Sequence, residues 1–482
     1  MAVHSPIDKT EALLGLKERL GDVIVLEEAV REEFKTDFGR VVHQVPGAVA
    51  RCTSTEQVAE VVRFCREHGI VVVARGQGHT QTGQSTTDGG IVIDTAAMCK
   101  IHEIDAEGLF AQCDGGLVWR DLVAATVPLG LVPPVLTNNL GVSLAGTVSV
   151  AGLGVASYRY GTQADNAIEL EVVTGTGEVV VCSREQNADL YNAVRCGFGQ
   201  FGIITRVKMR LRRCKQKVRM YHLLYDELDT FMDDADFVMR PENHDRFHTL
   251  ESRCAACPIF TKSIGEGLTL GEGQQLYAYW MYPMFLTVEY DEGENPDDAA
   301  VLDGLKHYRH LRTEEYTQLG FCNRLVPIFD LWHRSGNWEM HHPWVETTLT
   351  WDMARELIPT VLESFPPQAL GPGGHILLWP ARSDNSDVPL FMYPEGATNL
   401  MGFGILPAVP TQFLDQALSQ LEMFHELTVA YGGKRYLSGW ISFKTPEDWE
   451  NHFGAEKWAL IKDAKRRFDP DGLLNPGFFQ FE

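Results

Sequence analysis

The sequence predicts an α+β protein of two domains, the second inserted into the first. Its 482 residues, 44% hydrophobic and 22% charged, have ordinary globular composition and are enough for several domains or subdomains. Patterns of short apolar strands alternate with helical patterns from about residue 48 to 209. A region richer in aromatic residues and proline follows, and after it come a compact helix and a turn-rich segment. We therefore expect a first domain formed by 1–212 and 436–482, and a second domain over 213–435.

Helix-capping residues mark the first elements. Ser54 has Gln57 three residues after it, which is the spacing of a capping box, and Gly69 stands where a glycine ends a helix. The five apolar residues 70–74 predict a buried strand. The other predicted elements are strands at 49–52, 89–94 and 203–209, and helices after residue 185 and at 225–238, 296–309, 350–362, 410–431 and 445–465.

The charge balance disfavours nucleic acid as a partner. The chain has 42 Lys and Arg against 65 Asp and Glu, a formal net charge of −23, which repels phosphate. The N-terminal residues resemble the start of an amphipathic helix rather than a secretion signal, and no apolar run reaches the ~18 residues of a membrane helix. Ten cysteines without a framework suit a reducing compartment, so we expect a cytoplasmic protein without a membrane segment.

A lone Cys-x-x-Cys pair, Cys254 and Cys257, has a metal or redox site as one interpretation. A zinc site needs a second cysteine pair or nearby histidines, and neither accompanies it. We interpret these residues as loop or core cysteines and predict no metal.

A glycine-rich loop between two predicted strands, Arg75-Gly-Gln-Gly-His-Thr80, is the first chemical motif. Gly76 and Gly78 permit positive φ, and successive amides of such a loop form a nest for phosphate oxygens. The dinucleotide fingerprint GxGxxG is not satisfied, because Gly83 comes one residue too late. A tight turn between strands would use the same residues. His79 inside the nest suggests contact with a cofactor ring, and the alternative is a hydrogen-bonded turn histidine.

The segment that contains this loop, 75–95, resembles the flavin loop of the FAD-linked oxidases of the vanillyl-alcohol oxidase type. Within that family the closest resemblance is to the cytokinin dehydrogenases, and it extends over most of 40–480. The resemblance implies a two-domain flavoprotein, in which a PCMH-type FAD-binding domain built from N- and C-terminal segments receives an inserted α+β substrate domain with an antiparallel sheet and helices. The other segments that carry it are 144–154, 173–180, 182–190, 199–206, 342–344, 449–454, 457–458, 467–470 and 475–477.

The resemblance also implies the residues that bind FAD. His79 corresponds to the histidine that is commonly bonded covalently to the flavin. Some relatives have a second covalent link through a cysteine near the position of Asn139, and since this chain has no cysteine there we expect at most one link. The implied contacts are Gly76, Gln77, Gly78 and Thr80 at the pyrophosphate, Gln84, Ser143, Ser149, Leu153 and Ile204 further along FAD, and Tyr436, Asn475 and Phe478 closing the site.

The candidate catalytic residues depart from the family pattern. The segment that carries the catalytic aspartate of cytokinin dehydrogenases aligns with 136–138, where Asn138 cannot act as a general base. Two residues after His342-Pro-Trp344, where those relatives have asparagine, this chain has Glu346. Our hypothesis is that Glu346 accepts the substrate proton while Asn138 orients the substrate; the alternative is a surface or salt-bridged glutamate. Glu251 matches, more loosely, a substrate-lining glutamate of the family.

The predicted activity is oxidation of a small aromatic or heteroaromatic substrate by hydride transfer to flavin N5. A C–N bond is the expected target, and an alcohol or sugar C–OH bond is the alternative. Oxygen or a quinone-like compound would reoxidise the flavin, and the oligomeric state stays open. Two rival interpretations are a non-catalytic flavoprotein scaffold, which the loss at Asn138 supports, and a nicotinamide enzyme, which the missing fingerprint disfavours. Aromatic residues expected to face the flavin, or else to lie in the core, are Trp338, Trp344, Trp379, Tyr393 and Trp440.

Overall fold

The first sheet contains the βαβ unit that the capping residues predict. The computed structural model describes residues 9–257, 279–365 and 367–481. The four strands of this sheet lie in the order β1-β2-β4-β3, with β2, β3 and β4 parallel and β1 antiparallel to β2. Its elements are helices α1 (Lys9–Leu20), α2 (Glu28–Glu33) and α3 (Thr55–His68), and strands β1 (Ile24–Val25), β2 (Ala48–Arg51), β3 (Val72–Arg75) and β4 (Ile91–Asp94).

Helix α3 begins and ends as expected. The Ser54 hydroxyl accepts a hydrogen bond from the Gln57 amide at 3.4 Å, and Gly69 follows the helix in the left-handed region at φ 62°. The helix connects β2 to β3, so the glycine-rich loop starts directly after a buried parallel strand. The predicted strands at 49–52, 70–74 and 89–94 are confirmed to within two residues.

The second sheet is antiparallel and has five strands in the order β5-β6-β10-β8-β9, while β7 and β11 form a separate pair. The predicted strand at 203–209 and the predicted helix after residue 185 are confirmed. These elements are α4 (Trp119–Thr126), α5 (Leu144–Val148), α6 (Ser157–Tyr160), α7 (Ala188–Val194), β5 (Ile101–Asp105), β6 (Phe110–Asp114), β7 (Leu131–Val132), β8 (Ala167–Val173), β9 (Val179–Ser183), β10 (Ile203–Arg210) and β11 (Arg212–Arg213).

The third large sheet is antiparallel, with eight strands in the order β15-β12-β14-β13-β17-β18-β16-β19. Helices pack on it around a second apolar core. Its strands are β12 (Lys217–Tyr225), β13 (Thr249–Cys257), β14 (Tyr279–Tyr290), β15 (Arg309–Thr317), β16 (Val345–Thr350), β17 (His375–Arg382), β18 (Asn399–Leu406) and β19 (Lys434–Tyr436). The helices of this region are α8 (Leu228–Met239), α9 (Asp298–Leu302), α10 (Gln318–Cys322), α11 (Val326–Ser335), α12 (Trp351–Ser364) and α13 (Leu414–Ala430).

Two helix predictions were wrong in extent. The helix expected at 296–309 is only the five-residue α9, because Gly304 turns the chain at φ 80° and Arg309 already begins β15. The helix expected at 445–465 is two helices, α14 (Pro446–Phe453) and α15 (Ala455–Phe468), divided at Gly454 with φ 81°. Positive φ interrupts a right-handed helix, and glycine adopts it at little cost.

The segment after α15 returns to the first sheet. Leu474 forms a parallel bridge to Val72 of β3, and the Asn475 amide donates to the Val72 carbonyl at 2.9 Å. The buried Lys465 ammonium holds this segment through Asp469 at 2.8 Å and the Leu474 carbonyl at 2.7 Å. In sequence, the strands of the eight-stranded sheet therefore lie between the strands of the first sheet and the C-terminal segment that pairs with it. The domain boundaries at 212 and 435 stay predictions.

Two further observations concern the described residues alone. None of their helices is both long and apolar enough to cross a bilayer. Cys254 is a buried residue of β13, the strand that ends at Cys257, and no group of three His, Cys, Asp or Glu side chains within the described ranges could hold a metal ion.

Candidate active site

A cavity of about 320 Å³ lies where the three large sheets approach one another. It is bordered by the loop after β3, by 137–155, by 198–204, and by residues of β13, β16, β17 and β19. Fifteen of the sixteen residues that the sequence proposes as site residues lie in its wall, although they come from distant parts of the chain. These fifteen are Gly76, Gln77, Gly78, His79, Thr80, Gln84, Asn138, Ser143, Ser149, Leu153, Ile204, Glu251, Glu346, Tyr436 and Asn475.

Phe478 is the exception. Its side chain is buried in the core, with ring centroids 5.2 Å from Phe198 and 5.3 Å from Trp449. Phe198 does line the cavity, so Phe478 packs behind the wall and supports it from the C-terminal side.

The glycine-rich loop approaches its neighbours so closely that side chains do not fit. A Cβ atom added to Gly76 would lie 2.2 Å from the Ser143 hydroxyl oxygen, and Gly78 has φ 64°. The loop therefore presents backbone to the cavity, together with the N-terminal end of the segment that begins at Ser143. This arrangement suits close contact with the phosphates of a dinucleotide.

A buried carboxylate that sequence reasoning missed fixes the loop from behind. Asp37 accepts hydrogen bonds from the Thr80 hydroxyl at 2.8 Å and the Gly83 amide at 2.7 Å. Burial raises the pKa of Asp37 to about 6, although both hydrogen bonds act in the opposite direction. No local sequence pattern predicts this role for Asp37, because both of these side-chain hydrogen bonds are with residues more than 40 positions later.

His79 lies in a stack of rings at the cavity wall. The ring of Phe38 stacks on His79 with a centroid distance of 4.1 Å. It also stacks on His342, with a centroid distance of 4.2 Å, and the rings of both pairs are nearly parallel. Burial lowers the pKa of His79 to about 4, so the imidazole is neutral near pH 7. A neutral imidazole has a lone pair that can form a bond to carbon.

Unpartnered buried atoms show that the loop side of the cavity is built for a polar ligand. His79 Nε2, Gln81 Oε1 and Gln84 Nε2 are buried and have no hydrogen-bond partner among the described residues. Buried polar atoms in proteins nearly always have a partner, so a bound group is expected to supply it. Together with the glycine backbone, these atoms fit FAD.

Glu346 lies on the opposite side, on β16, which is the strand next to the edge strand β19 of the eight-stranded sheet. Its carboxylate accepts a hydrogen bond from the Ser438 hydroxyl, and its strand partner is Tyr436, which also lines the cavity. Burial raises the pKa of Glu346 to about 7, against the effects of the Ser438 hydrogen bond and the Arg435 charge. A carboxylate with its pKa near neutral pH is suited to accept and release a proton.

Asn138 and Glu251 are joined by an arginine that sequence reasoning did not select. Arg324 donates from Nη2 to Glu251 at 2.6 Å and to Asn138 Oδ1 at 3.2 Å. Burial disfavours the charged form of Glu251, but Arg324 and Arg253 outweigh it and hold the pKa of Glu251 below its usual range. Glu251 is thus an ion-paired carboxylate.

The same arginine fixes the orientation of the Asn138 amide. A guanidinium only donates, so the amide oxygen must face Arg324 and the NH₂ group must point elsewhere. Asn138 lines the cavity, and among the described residues its side chain makes the hydrogen bond from Arg324 to its amide oxygen and no other. Position 138 therefore offers the cavity a hydrogen-bond donor.

Two of the five selected aromatic residues, Trp344 and Trp379, line the cavity. The indole of Trp379 lies flat on β18, where a Cβ added to Gly402 would be 1.8 Å from the ring. The other three lie outside the wall: Trp338 contacts His79 edge-on at 6.0 Å, Tyr393 packs on Phe391 at 4.8 Å, and Trp440 is buried.

Comparison with known protein families divides the chain into two matched stretches. Residues 46–183 match a family model described as an FAD-binding domain. Residues 215–481 match a family model described as the FAD- and cytokinin-binding region of cytokinin dehydrogenase 1. The second stretch alone is more than half of the chain and includes the whole eight-stranded sheet.

Individual relatives agree with these matches over nearly the full length. The chain is 31% identical to an uncharacterised oxidoreductase, ORF5 in the fasciation locus of Rhodococcoides fascians, over 92% of this chain and 95% of that protein. It is 28% identical to cytokinin dehydrogenase 7 of Oryza sativa subsp. japonica, over 92% of this chain and 88% of that protein. With cytokinin dehydrogenase 4 of Arabidopsis thaliana it shares 26% identity over 92% and 89% of the two chains.

Proposed function

The chain belongs to the family of FAD-linked oxidoreductases that includes the cytokinin dehydrogenases, and on that premise we propose that it oxidises a C–N bond of a small aromatic or heteroaromatic amine. The observation that carries this proposal is the position of Glu346. It is a half-buried carboxylate with its pKa raised to about 7, in the wall of the same cavity that holds the loop residues suited to FAD.

The loop side of the cavity binds and orients the cofactor. The backbone of Gly76 and Gly78 would hold the phosphates of FAD, while Gln84, Ser143 and Asn475 complete the cavity wall. FAD, when bound, supplies the two-electron acceptor for oxidation of the substrate carbon. The neutral imidazole of His79 supports a covalent bond to the flavin through one ring nitrogen, and at most one link is expected.

The side of the cavity opposite the loop binds the substrate and accepts its proton. Glu346 accepts the proton of the substrate N–H, and Ser438 holds the carboxylate in place by its hydrogen bond. The NH₂ group of Asn138, oriented by Arg324, donates to an acceptor atom of the substrate. Trp344 and Trp379 provide flat surfaces on which an aromatic ring can stack.

Two properties beyond the reaction are also proposed. Oxygen or a quinone-like compound accepts the electrons from the reduced cofactor. The protein is located in the cytoplasm, which is supported by the nine cysteines whose side chains the structure describes, all of them free.

A matched substrate pair tests the reaction. N-methylbenzylamine and benzyl alcohol share one ring and benzylic carbon, and a cytokinin serves as a third probe because the named relatives are cytokinin dehydrogenases. We expect anaerobic bleaching of the flavin by the amine or the cytokinin and none by the alcohol. Bleaching by the alcohol alone would favour C–OH oxidation. An unreactive, fully loaded flavoprotein would favour the scaffold.

Acid precipitation tests the covalent link. We expect flavin to remain in the pellet of the unaltered protein and to pass into the supernatant for His79→Ala. His43→Ala, which removes an exposed histidine, is the matched control and keeps the flavin in the pellet. Flavin in the supernatant of the unaltered protein would exclude the covalent bond.

A further inference from the structure

A buried guanidinium lies directly behind Glu346. Arg435 belongs to β19, the edge strand that pairs only with β16, and 1% of its surface is exposed. Its Nε donates to the Glu346 carbonyl at 3.2 Å, and its Nη2 donates to the Trp440 carbonyl at 2.6 Å. Arg435 thus ties the strand that carries Glu346 to the chain that follows β19.

The strand register places the side chains of Glu346 and Arg435 on opposite faces of the sheet. Glu346 lies opposite Tyr436 and shares its cavity face, whereas Arg435 lies opposite Thr347. Successive residues of a strand point to opposite faces, so Arg435 points away from the cavity. It contacts the backbone of Glu346 rather than its carboxylate, and it leaves the carboxylate free for a substrate.

In the part of the chain that the structure describes, Arg435 forms no ion pair with a carboxylate. Its side-chain hydrogen bonds go to two backbone carbonyls, and its Nη1 has no hydrogen-bond partner there. A buried charge without a counter-ion is costly, so its retention calls for an explanation. Burial lowers the pKa of Arg435 to about 10 while the Glu346 charge acts the other way, so the guanidinium stays protonated at neutral pH.

The two histidines and the tyrosine closest in charge effect to Arg435 are neutral near pH 7. Burial lowers the pKa of His425 to about 4 and that of His452 well below its usual value, with the Arg435 charge adding to both effects. Burial raises the pKa of Tyr436, the ring that faces Glu346 across the strands. Lys434 points elsewhere, since its ammonium donates to the His452 carbonyl at 2.9 Å. The remaining acid, Asp448, acts on His425.

We propose that Arg435 is a positioning residue for Glu346: its guanidinium fixes the strand that carries the glutamate and supplies the positive charge that keeps the carboxylate available as a base. This inference rests on the proposed function of Glu346. It also explains why Arg435 has no permanent counter-ion. The carboxylate that balances its charge is that of Glu346, which gains and loses a proton during turnover.

The test compares Arg435→Gln, Arg435→Lys and Lys434→Gln in the flavin-loaded full-length protein. Titration of the Glu346 carboxyl is followed by infrared difference spectra between each protein and its Glu346→Gln counterpart. The pH dependence of flavin bleaching by N-methylbenzylamine, or by the cytokinin if only that reacts, is measured in parallel. Flavin content and thermal unfolding confirm that each variant is folded.

In Arg435→Gln the pKa of Glu346 is expected to rise by about one to two units, because a nearby positive charge that favours the ionised carboxylate has been removed. Arg435→Lys keeps the charge and is expected to titrate like the unaltered protein. Lys434→Gln removes a neighbouring charge of the same strand and is also expected to leave the titration in place.

Three results would overturn the inference: a folded Arg435→Gln protein with an unchanged titration, an equal shift in Lys434→Gln, or a full shift in Arg435→Lys. The last of these applies even if Arg435→Gln does not fold. An infrared shift without a matching shift in bleaching would support the role of Arg435 and contradict Glu346 as the base. The two proposals therefore fail separately.

Discussion

The two sides of the cavity are built by different means. The loop side, formed by 76–80 and 143–153, presents backbone whose shape depends on glycines and on short-range order. The sheet side, formed by Glu251, Glu346 and Trp379, presents side chains, and the ionisation of its two glutamates depends on residues that are distant in sequence. The backbone shape of the glycine-rich loop is therefore determined largely by its own glycines, whereas the ionisation of the sheet-side glutamates is determined by tertiary contacts.

The largest expected effect comes from replacing the proposed base on the sheet side. Glu346→Gln is expected to lower the rate of flavin reduction by about 100- to 10,000-fold, the usual range for loss of a general base, with flavin content unchanged. Stopped-flow bleaching measures the rate. Glu356→Gln, on the exposed face of α12, is the control and retains the full rate. Equal loss of flavin and of rate in Glu346→Gln would break the division between the two sides.

The next effect is a pH dependence that belongs to the sheet side alone. Glu346 accepts a proton only when ionised, and burial raises its pKa to about 7. The rate of flavin reduction is therefore expected to rise with pH up to about 7 and to fall about tenfold per pH unit below it. Retention of flavin should not change over the same range. A flat profile between pH 5 and 8 would contradict the assignment.

A smaller effect is expected from Gly402→Ala, which changes the sheet side by shape rather than charge. The added Cβ would lie 1.8 Å from the Trp379 indole, so the ring must move out of the cavity wall. Such overpacking lowers the free energy of unfolding by about 1–3 kcal/mol. Thermal unfolding and KM are the measurements. Gly15→Ala, in the interior of α1 with no atom within 4 Å of the new Cβ, should leave KM unchanged and should raise the free energy of unfolding by about 0.5–1 kcal/mol.

The smallest effect is expected from Asn138→Leu, which removes the proposed donor to the substrate. Loss of one neutral hydrogen bond of about 0.5–1.5 kcal/mol raises KM roughly 2- to 12-fold. The limiting rate of flavin reduction should change less than KM, because Glu346 is intact. A loss of rate comparable with that of Glu346→Gln would show that position 138 takes part in the proton transfer itself.

Much of the fold of the loop side could be predicted from the sequence because its determinants are close together, while the FAD contacts of its residues stay predictions. The caps at Ser54 and Gly69 define α3, and the glycine spacing around His79 defines the loop. The family resemblance supplied the remaining cofactor residues, and Phe478 was the only one placed outside the wall. That residue is two positions after Pro476, in a turn whose side-chain directions no local pattern determines.

On the sheet side the sequence identified residues but not their states. Glu346 and Asn138 could be selected as departures from the family pattern, yet nothing local showed that one would be half-buried beside Ser438 and the other bonded to Arg324. Arg324 is 186 positions from Asn138, and Arg435 is 89 positions from Glu346. The tertiary fold brings the members of each pair together, and no local sequence pattern predicts either contact.

The bridge between Val72 and Leu474 places a constraint on the order of events during synthesis. Strand β3 and the glycine-rich loop leave the ribosome early, but the residues that cover the edge of that strand are made far later. Until then β3 has an unpaired edge, which is a site for mispairing with other chains. A chain interrupted before Leu474 would keep that edge open and would lack Asn475 from the cavity wall. Completion of the cofactor site thus coincides with protection of the nascent sheet.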